Sequence, residues 1–182
     1  MAILPRKFKT TAHAHSIPLE AEVYLTLQHV ADLLLRPVEE TLKAAALSHT
    51  QYNVLRILRG ANRDAGRSGE QAAESGGLPC GEIAARMITR DPDITRLLDR
   101  LEARGLVARS RQKQDRRVVT ARITSTGIQL LKNLEKPMDA MHRKQFAHLS
   151  AAHLRRLLGH LKEIRSAVEQ IKACADNKEE LN

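Results

Sequence analysis

The residues of this chain best placed to do chemistry are arginines in a pattern, with no catalytic constellation among them. Between Arg104 and Arg122 stand seven basic residues, Arg104, Arg109, Arg111, Lys113, Arg116, Arg117 and Arg122, against the single acid Asp115. Just upstream lie Arg90, Asp93, Thr95, Arg96 and Arg100. These types suit a base-paired target: a guanidinium can fork onto guanine, a threonine methyl can meet a thymine methyl, and a carboxylate can accept from a cytosine amino group. The 182-residue chain carries 30 Lys plus Arg against 21 Asp plus Glu, a net charge of +9, which favours an anionic partner such as nucleic acid or a membrane surface. Aromatics make up only 2%, Phe8, Tyr24, Tyr52 and Phe146, too few for the stacking platform that reads single strands. The expected target is double-stranded.

Other chemistries find little support. Paired carboxylates, nucleophile triads, glycine-rich phosphate loops and metal-ligand spacings are not evident, so neither an enzyme nor a cofactor is expected. His153 and His160 lie two turns apart on one helical face with His148 nearby, but solvated histidines fit this pattern better than ligands, and no metal site is assigned. Cys80 and Cys174 form no disulfide framework. Cys80 opens a short helix, where a thiol can act as a redox sensor, yet a small buried apolar residue is the plainer reading. The apolar run Ala2 to Leu4 is too short for a signal peptide, and no stretch of 18 apolar residues could span a membrane. A cytoplasmic protein is expected.

The elements that must position the arginines are legible from apolar periodicity. From Ser16, with Pro18 in its first turn, Val23, Leu27, Val30, Leu34, Val38 and Leu42 mark one face of a long helix, in which Pro37 predicts a kink or two helices meeting near Leu35. Ser48 with Gln51 forms a capping box before Tyr52, Leu55 and Leu58, and Gly60 is expected to close that helix. Residues 60–79 hold five of the nine glycines and read as a flexible insertion. A two-turn helix follows over Gly81–Met87 with Ile83, Ala84 and Met87 inward.

Asp91 as N-cap and Pro92 in the first turn then predict a helix from Pro92 to Arg104, stopped by Gly105, with Ile94, Leu97, Leu98 and Leu101 inward. Asp93, Thr95, Arg96, Asp99 and Arg100 face outward. Leu106–Arg111 and Val118–Thr124 predict a β-hairpin with a basic tip, its inner face carrying Val119, Ala121 and Ile123. Thr126 and Gln129 suggest a capping box for a helix through Ile128, Leu131, Leu134 and Met138 that Pro137 bends. From Ser150 a last helix places Leu154, Leu157, Leu161, Ile164, Val168 and Ile171 at the three-four spacing of a coiled-coil seam, which wants a partner helix.

A short helix, a turn, a capped second helix and a basic hairpin follow the order of a winged helix-turn-helix. In that arrangement Arg96, Thr95 and Asp93 meet base edges in the major groove, while Arg90 and Arg100 meet phosphates. Asp115 at the wing tip can pair with one of Arg116 and Arg117 and leave the other for the minor groove.

LSHTQYNVLRIL, GEIAARM and DITRLLDRLEARGLVARSRQKQDRRVVTARITSTGIQLL, spanning residues 47–131, resemble the MarR family of bacterial winged-helix transcriptional regulators. The most specific matches are the run Thr95 to Glu102 leading into Gly105-Leu106-Val107, the Asp115-Arg116-Arg117 triplet, and Thr124-x-x-Gly127. The resemblance implies a homodimer whose first and last helices interlock, a pseudo-palindromic DNA operator, and release by a small-molecule effector or an oxidant. It matches Thr95 and Arg96 to recognition-helix readers, Asp115 to the wing salt-bridge acid, and Arg116 and Arg117 to wing arginines. It implies an effector crevice near Tyr24, His29, Tyr52 and Arg56, without specifying a ligand. The chain departs from the pattern in Asp91-Pro92-Asp93, where small serines are usual, and in the long glycine-rich insertion.

The expected fold class is thus mainly α with a small β-hairpin wing, a winged helix-turn-helix flanked by N- and C-terminal dimerisation helices. Its layout is a disordered arm over 1–15, an N-terminal dimerisation helix region over 16–47, the DNA-binding domain over 48–124, C-terminal dimerisation helices over 125–175, and a disordered tail over 176–182. The expected function is sequence-specific repression of transcription. A non-specific architectural or protein-interaction winged-helix module is the alternative.

Overall fold

Apolar periodicity resolves into six helices and three short strands among the residues described by the computed structural model, 17–67, 77–87, 93–111 and 118–179. In chain order they are α1 (Leu19–Lys43), α2 (His49–Arg67), β1 (Leu78–Pro79), α3 (Cys80–Arg86), α4 (Ile94–Ala103), β2 (Val107–Arg111), β3 (Val119–Ile123), α5 (Ser125–Gln145) and α6 (Ala151–Glu179). The arm 1–15, most of the glycine-rich stretch, Arg90, Asp91, Pro92 and the wing-tip residues 112–117, with Asp115, Arg116 and Arg117, lie outside the described residues.

The chain divides at Pro37 into two units, residues 1–36 and 37–182. The first contains the N-terminal part of α1. This helix begins at Leu19, one residue after Pro18, whose carbonyl accepts from the amides of Ala21 and Glu22. Proline is thus the last residue before the helix and not part of its first turn. Of the predicted apolar face, Val23, Leu27 and Val30 are exposed and Leu34 is half-buried, while Val38 and Leu42 are buried; Ile17, Leu19, Tyr24, Leu25 and Leu33 are exposed as well. Two helices do not meet near Leu35: α1 is one element with Pro37 inside it. Proline removes a single amide donor, and the flanking hydrogen bonds carry the helix past it.

The second unit holds the core. Leu42, Val54, Leu55, Leu58, Ile83, Leu98, Leu101, Val107, Ala121 and Leu131 are almost wholly buried where α2 packs on α3, α4, α5 and β3. The Ser48 capping box forms as the sequence predicts: the Gln51 amide donates to Ser48 Oγ at 3.1 Å and the Ser48 amide to Gln51 Oε1 at 3.0 Å. Gly60 does not end α2, which runs on to Arg67. A glycine costs a helix interior only about 1 kcal/mol relative to alanine, so neither Gly60 nor Gly66 is by itself enough to stop the helix. At the far end of the expected insertion, Leu78 and Pro79 form a strand. β1 pairs antiparallel with β3, giving a three-stranded sheet in the order β1-β3-β2 in place of a simple hairpin. Two residues including a proline leave no alternation to find in the sequence, and proline is tolerated because β1 is an edge.

β2 and β3 pair from Val107 opposite Ile123 to Arg111 opposite Val119. Ala121 and Ile123 are buried as expected, Val119 only half so, and Thr120 is buried through its hydroxyl contact with Ser110 across the ladder. In α3 only Ile83 is buried, while Ala84 is exposed and Met87 half-buried, because seven residues present one inward position to the core. α5 is capped by Thr124 rather than Thr126: Thr124 Oγ1 accepts from the Gly127 amide at 3.1 Å and donates to the Gly105 carbonyl at 2.7 Å. Gln129 instead donates to Asn133. α5 contains Pro137 without ending there, and Leu131, Leu134 and Met138 are its buried face. Ser150 caps α6, which continues past residue 175 to Glu179. Of its stripe, Leu154 is half-buried and Leu157, Leu161, Ile164, Val168 and Ile171 are exposed.

Candidate nucleic-acid interface

α4 begins two residues later than the sequence predicts. Its N-cap is Asp93, whose Oδ1 accepts from the Arg96 amide at 3.0 Å, and the first helical residue is Ile94. Asp91 and Asp93 both have a cap's chemistry, so the sequence offered two starts two residues apart. The cap that forms is Asp93, and Leu97, Leu98 and Leu101 of the helix that follows are buried. Gly105 stops the helix as expected: at φ +66° it lets the Leu106 amide reach back to the Leu101 carbonyl at 3.0 Å.

The same cap fixes the candidate base reader. Arg96 Nε lies 2.9 Å from Asp93 Oδ2, while the Arg96 side chain stays 78% exposed. Asp93 therefore engages Arg96 with both carboxylate oxygens, and in the free protein it orients the arginine. Thr95 and Arg100 are exposed on the same helix.

Two of the seven basic residues between Arg104 and Arg122 belong to the frame. Arg109, on β2, lies in a carboxylate pocket: its Nη2 is 2.6 Å from Asp99 Oδ1 and 2.6 Å from Glu102 Oε2. Its Nε donates to Glu102 Oε2 at 2.7 Å and its amide to Glu102 Oε1 at 3.1 Å. The hydrogen bond from Arg109 holds the Glu102 carboxyl below its ordinary range, against a smaller opposing effect of burial. The same bond, with that to Asp99, raises the guanidinium above its already high value. This pairing locks α4 to β2. Arg104, the C-cap residue of α4, donates to the carbonyls of Ala45 and Ala46 at 2.8 and 2.6 Å. Sequence reading counted Arg104 and Arg109 as wing charge and left Asp99 facing outward. The signal available was the seven-residue spacing from Glu102 to Arg109 across the Gly105 turn, which brings the end of a helix beside the strand leaving it.

The Thr124-x-x-Gly127 pattern also has a mechanical reading. Thr124 joins α5 to the Gly105 turn, and a Cβ on Gly127 would collide with the Leu106 carbonyl and the Ile123 side chain, so only glycine lets α5 start against the wing. The other chemically suggestive groups do not converge. Among the described residues no cluster of three or more metal-ligating side chains exists, and His160 lies 3.5 Å from Glu163 on its own helix. Cys80 is half-buried with its Sγ 3.5 Å from the Val119 carbonyl. The Arg56 guanidinium sits 5.8 Å above the Tyr52 ring. Among the described residues no helix is long and apolar enough to cross a membrane.

A helix, a second helix with its outer face exposed, and an antiparallel sheet whose strands extend from that second helix define a winged helix-turn-helix. A family model described as the MarR family matches residues 70–119. The crystal structure of a MarR transcription factor from Planctomyces limnophilus has the same fold at a TM-score of 0.58 and 38% identity, covering 80% of this chain and 97% of that one. The HTH-type transcriptional repressor IacR of Pseudomonas putida is 25% identical over 151 residues, 80% of this chain and 82% of that protein. An uncharacterised HTH-type transcriptional regulator of Bacillus subtilis, YdgJ, is 30% identical over 80 residues; the match covers 44% of this chain and about half, 49%, of that relative. The chain belongs to the MarR family, whose members are transcriptional regulators and not enzymes.

Proposed function

We propose that this protein is a sequence-specific double-stranded DNA-binding repressor that acts in the cytoplasm as a homodimer and is released from its operator by a small-molecule effector. The observation that carries the reading is α4: a capped helix whose Arg96 is aimed by Asp93, whose outer face also offers Thr95 and Arg100, and whose orientation to the wing is fixed by Arg109. A rigid helix with oriented donors is what direct readout in a major groove requires. Arg90 and Arg100 serve phosphates. Arg116 and Arg117, with Asp115 pairing one of them, serve the minor groove.

Two copies would present two such helices to half-sites of a pseudo-palindrome about 34–36 Å apart, and an effector would act by changing that separation. The exposed apolar stripes of α1 and α6 support the dimer, since helix faces of this kind are ordinarily covered. Repression is supported by the similarity to IacR, a transcriptional repressor of Pseudomonas putida.

The test is fluorescence anisotropy on tiled duplexes from the promoter region of its own gene and from random genomic fragments, at about 50 and 200 mM salt with competitor. A repressor keeps a preference of about 10³-fold or more for one site. Uniform binding that salt abolishes on every duplex would identify a non-specific architectural module instead.

A further inference from the structure

Arg104 occupies a place that neither base reading nor phosphate binding requires. It is the C-cap residue of α4, and its two terminal nitrogens grip two successive carbonyls, Ala45 at 2.8 Å and Ala46 at 2.6 Å, in the turn that ends α1. That turn is unusual in its own right. The Leu47 amide closes back on the Leu42 carbonyl at 3.3 Å, the pattern that normally places glycine in the left-handed position, but here the position is filled by Ala46 at φ 49°. Among the described non-glycine residues Ala46 alone has a positive φ. A left-handed alanine persists only where its surroundings hold it, and the forked guanidinium on its carbonyl is such a hold. Leu42 and Leu47 on either side of the turn are buried, so the carbonyl pair is anchored to the core.

We propose that Arg104 is a positioning residue: a two-pronged latch that ties the end of the recognition helix to the end of α1 and so sets the pose in which α4 meets DNA. The fork is essential, because two adjacent carbonyls are matched by two nitrogens of one planar group and not by a single ammonium. The inference rests on the DNA-binding reading for its consequence but not for its geometry. Any displacement of the α1 terminus must then be felt at α4 through Arg104, which gives an effector a short path to the DNA-contacting helix.

The experiment compares the full-length parent with Arg104→Met and Arg104→Lys. Operator and random duplexes are titrated across a salt series, and backbone amide exchange is followed on the free proteins. A latch predicts that both variants lose about tenfold in operator affinity with little change on random DNA, and keep the parent's salt slope. It also predicts that exchange rises together at residues 44–47 and 103–106 and not elsewhere. A phosphate contact predicts the opposite pattern: Arg104→Met lowers the salt slope by about one on every sequence, and Arg104→Lys restores it. That result, or unchanged affinity and exchange in both variants, or faster exchange spread evenly over all helices, overturns the latch. If the parent itself prefers no duplex, the repressor reading fails, and the exchange pattern alone decides for or against the latch.

Discussion

At the scale of single residues, the interface depends on which charges are already engaged. Arg109 is held by Asp99 and Glu102, and Arg96 by Asp93, so equal charges in the sequence differ in their freedom to meet DNA. Replacing Arg96 with Ala is expected to cut the operator's advantage over random DNA by about tenfold to a hundredfold, from the 1–3 kcal/mol of one bidentate base contact, while leaving non-specific affinity nearly intact. Equal binding of parent and variant to both duplexes would remove Arg96 from the readout. The Arg109 pocket predicts a pH dependence. Because Arg109 depresses the Glu102 pKa in the folded state, the stabilisation is complete above the unfolded carboxylate value of about 4.3 and is lost as pH falls through the lower folded value. The melting-temperature gap between the parent and Glu102→Gln should therefore be constant above about pH 5 and close below about pH 4. A gap that persists unchanged at about pH 3 would mean that the pairing contributes nothing through its charge.

At the scale of elements, the caps decide where helices begin. The Ser48 and Gln51 box was fully legible, because both partners are local and their spacing is that of one helical turn. The caps of α4 and α5 were each misplaced by two residues, since Asp91 and Asp93, and Thr124 and Thr126, have the same chemistry and only contacts with the core and the wing separate them. Thr124→Ala should cost about 1 kcal/mol in chemical denaturation, more than Thr126→Ala, which removes no cap. Equal losses would reassign the cap. At Ala46 the reverse holds: Ala46→Gly relieves a left-handed alanine at the cost of extra backbone freedom, a net gain of about 0.5 to 1 kcal/mol that should raise the melting temperature by about 2 °C. A lower melting temperature would mean that the turn is not strained. The missed strand β1 has a different cause, since its two residues are specified by pairing with Thr120 and Ala121 and by nothing in their own pattern.

At the scale of the whole molecule, α6 shows Leu161 at 39%, Ile164 at 45% and Val168 at 59% exposure, a helix-long apolar stripe facing solvent. Placing charges there, as Leu161→Glu with Ile164→Lys, should change light-scattering mass from that of a dimer to that of a monomer and abolish operator binding, while far-UV circular dichroism stays helical. A parent that is itself monomeric at micromolar concentration would sink the homodimer, and with it the two-half-site operator.

The sequence by itself determined the six helices, the two wing strands and their order, though not β1 or every cap, because apolar period and turn chemistry act within a few residues of one another. It also placed the candidate readers Thr95 and Arg96 on one outward helical face, since Leu97, Leu98 and Leu101 fix the inward one. Only the tertiary structure decided which arginines hold the frame. Arg104 reaches carbonyls 58 and 59 residues away, and Arg109 closes on Asp99 and Glu102 after the chain has turned through Gly105. Such pairings depend on distances in space, which charge counted along a chain does not contain.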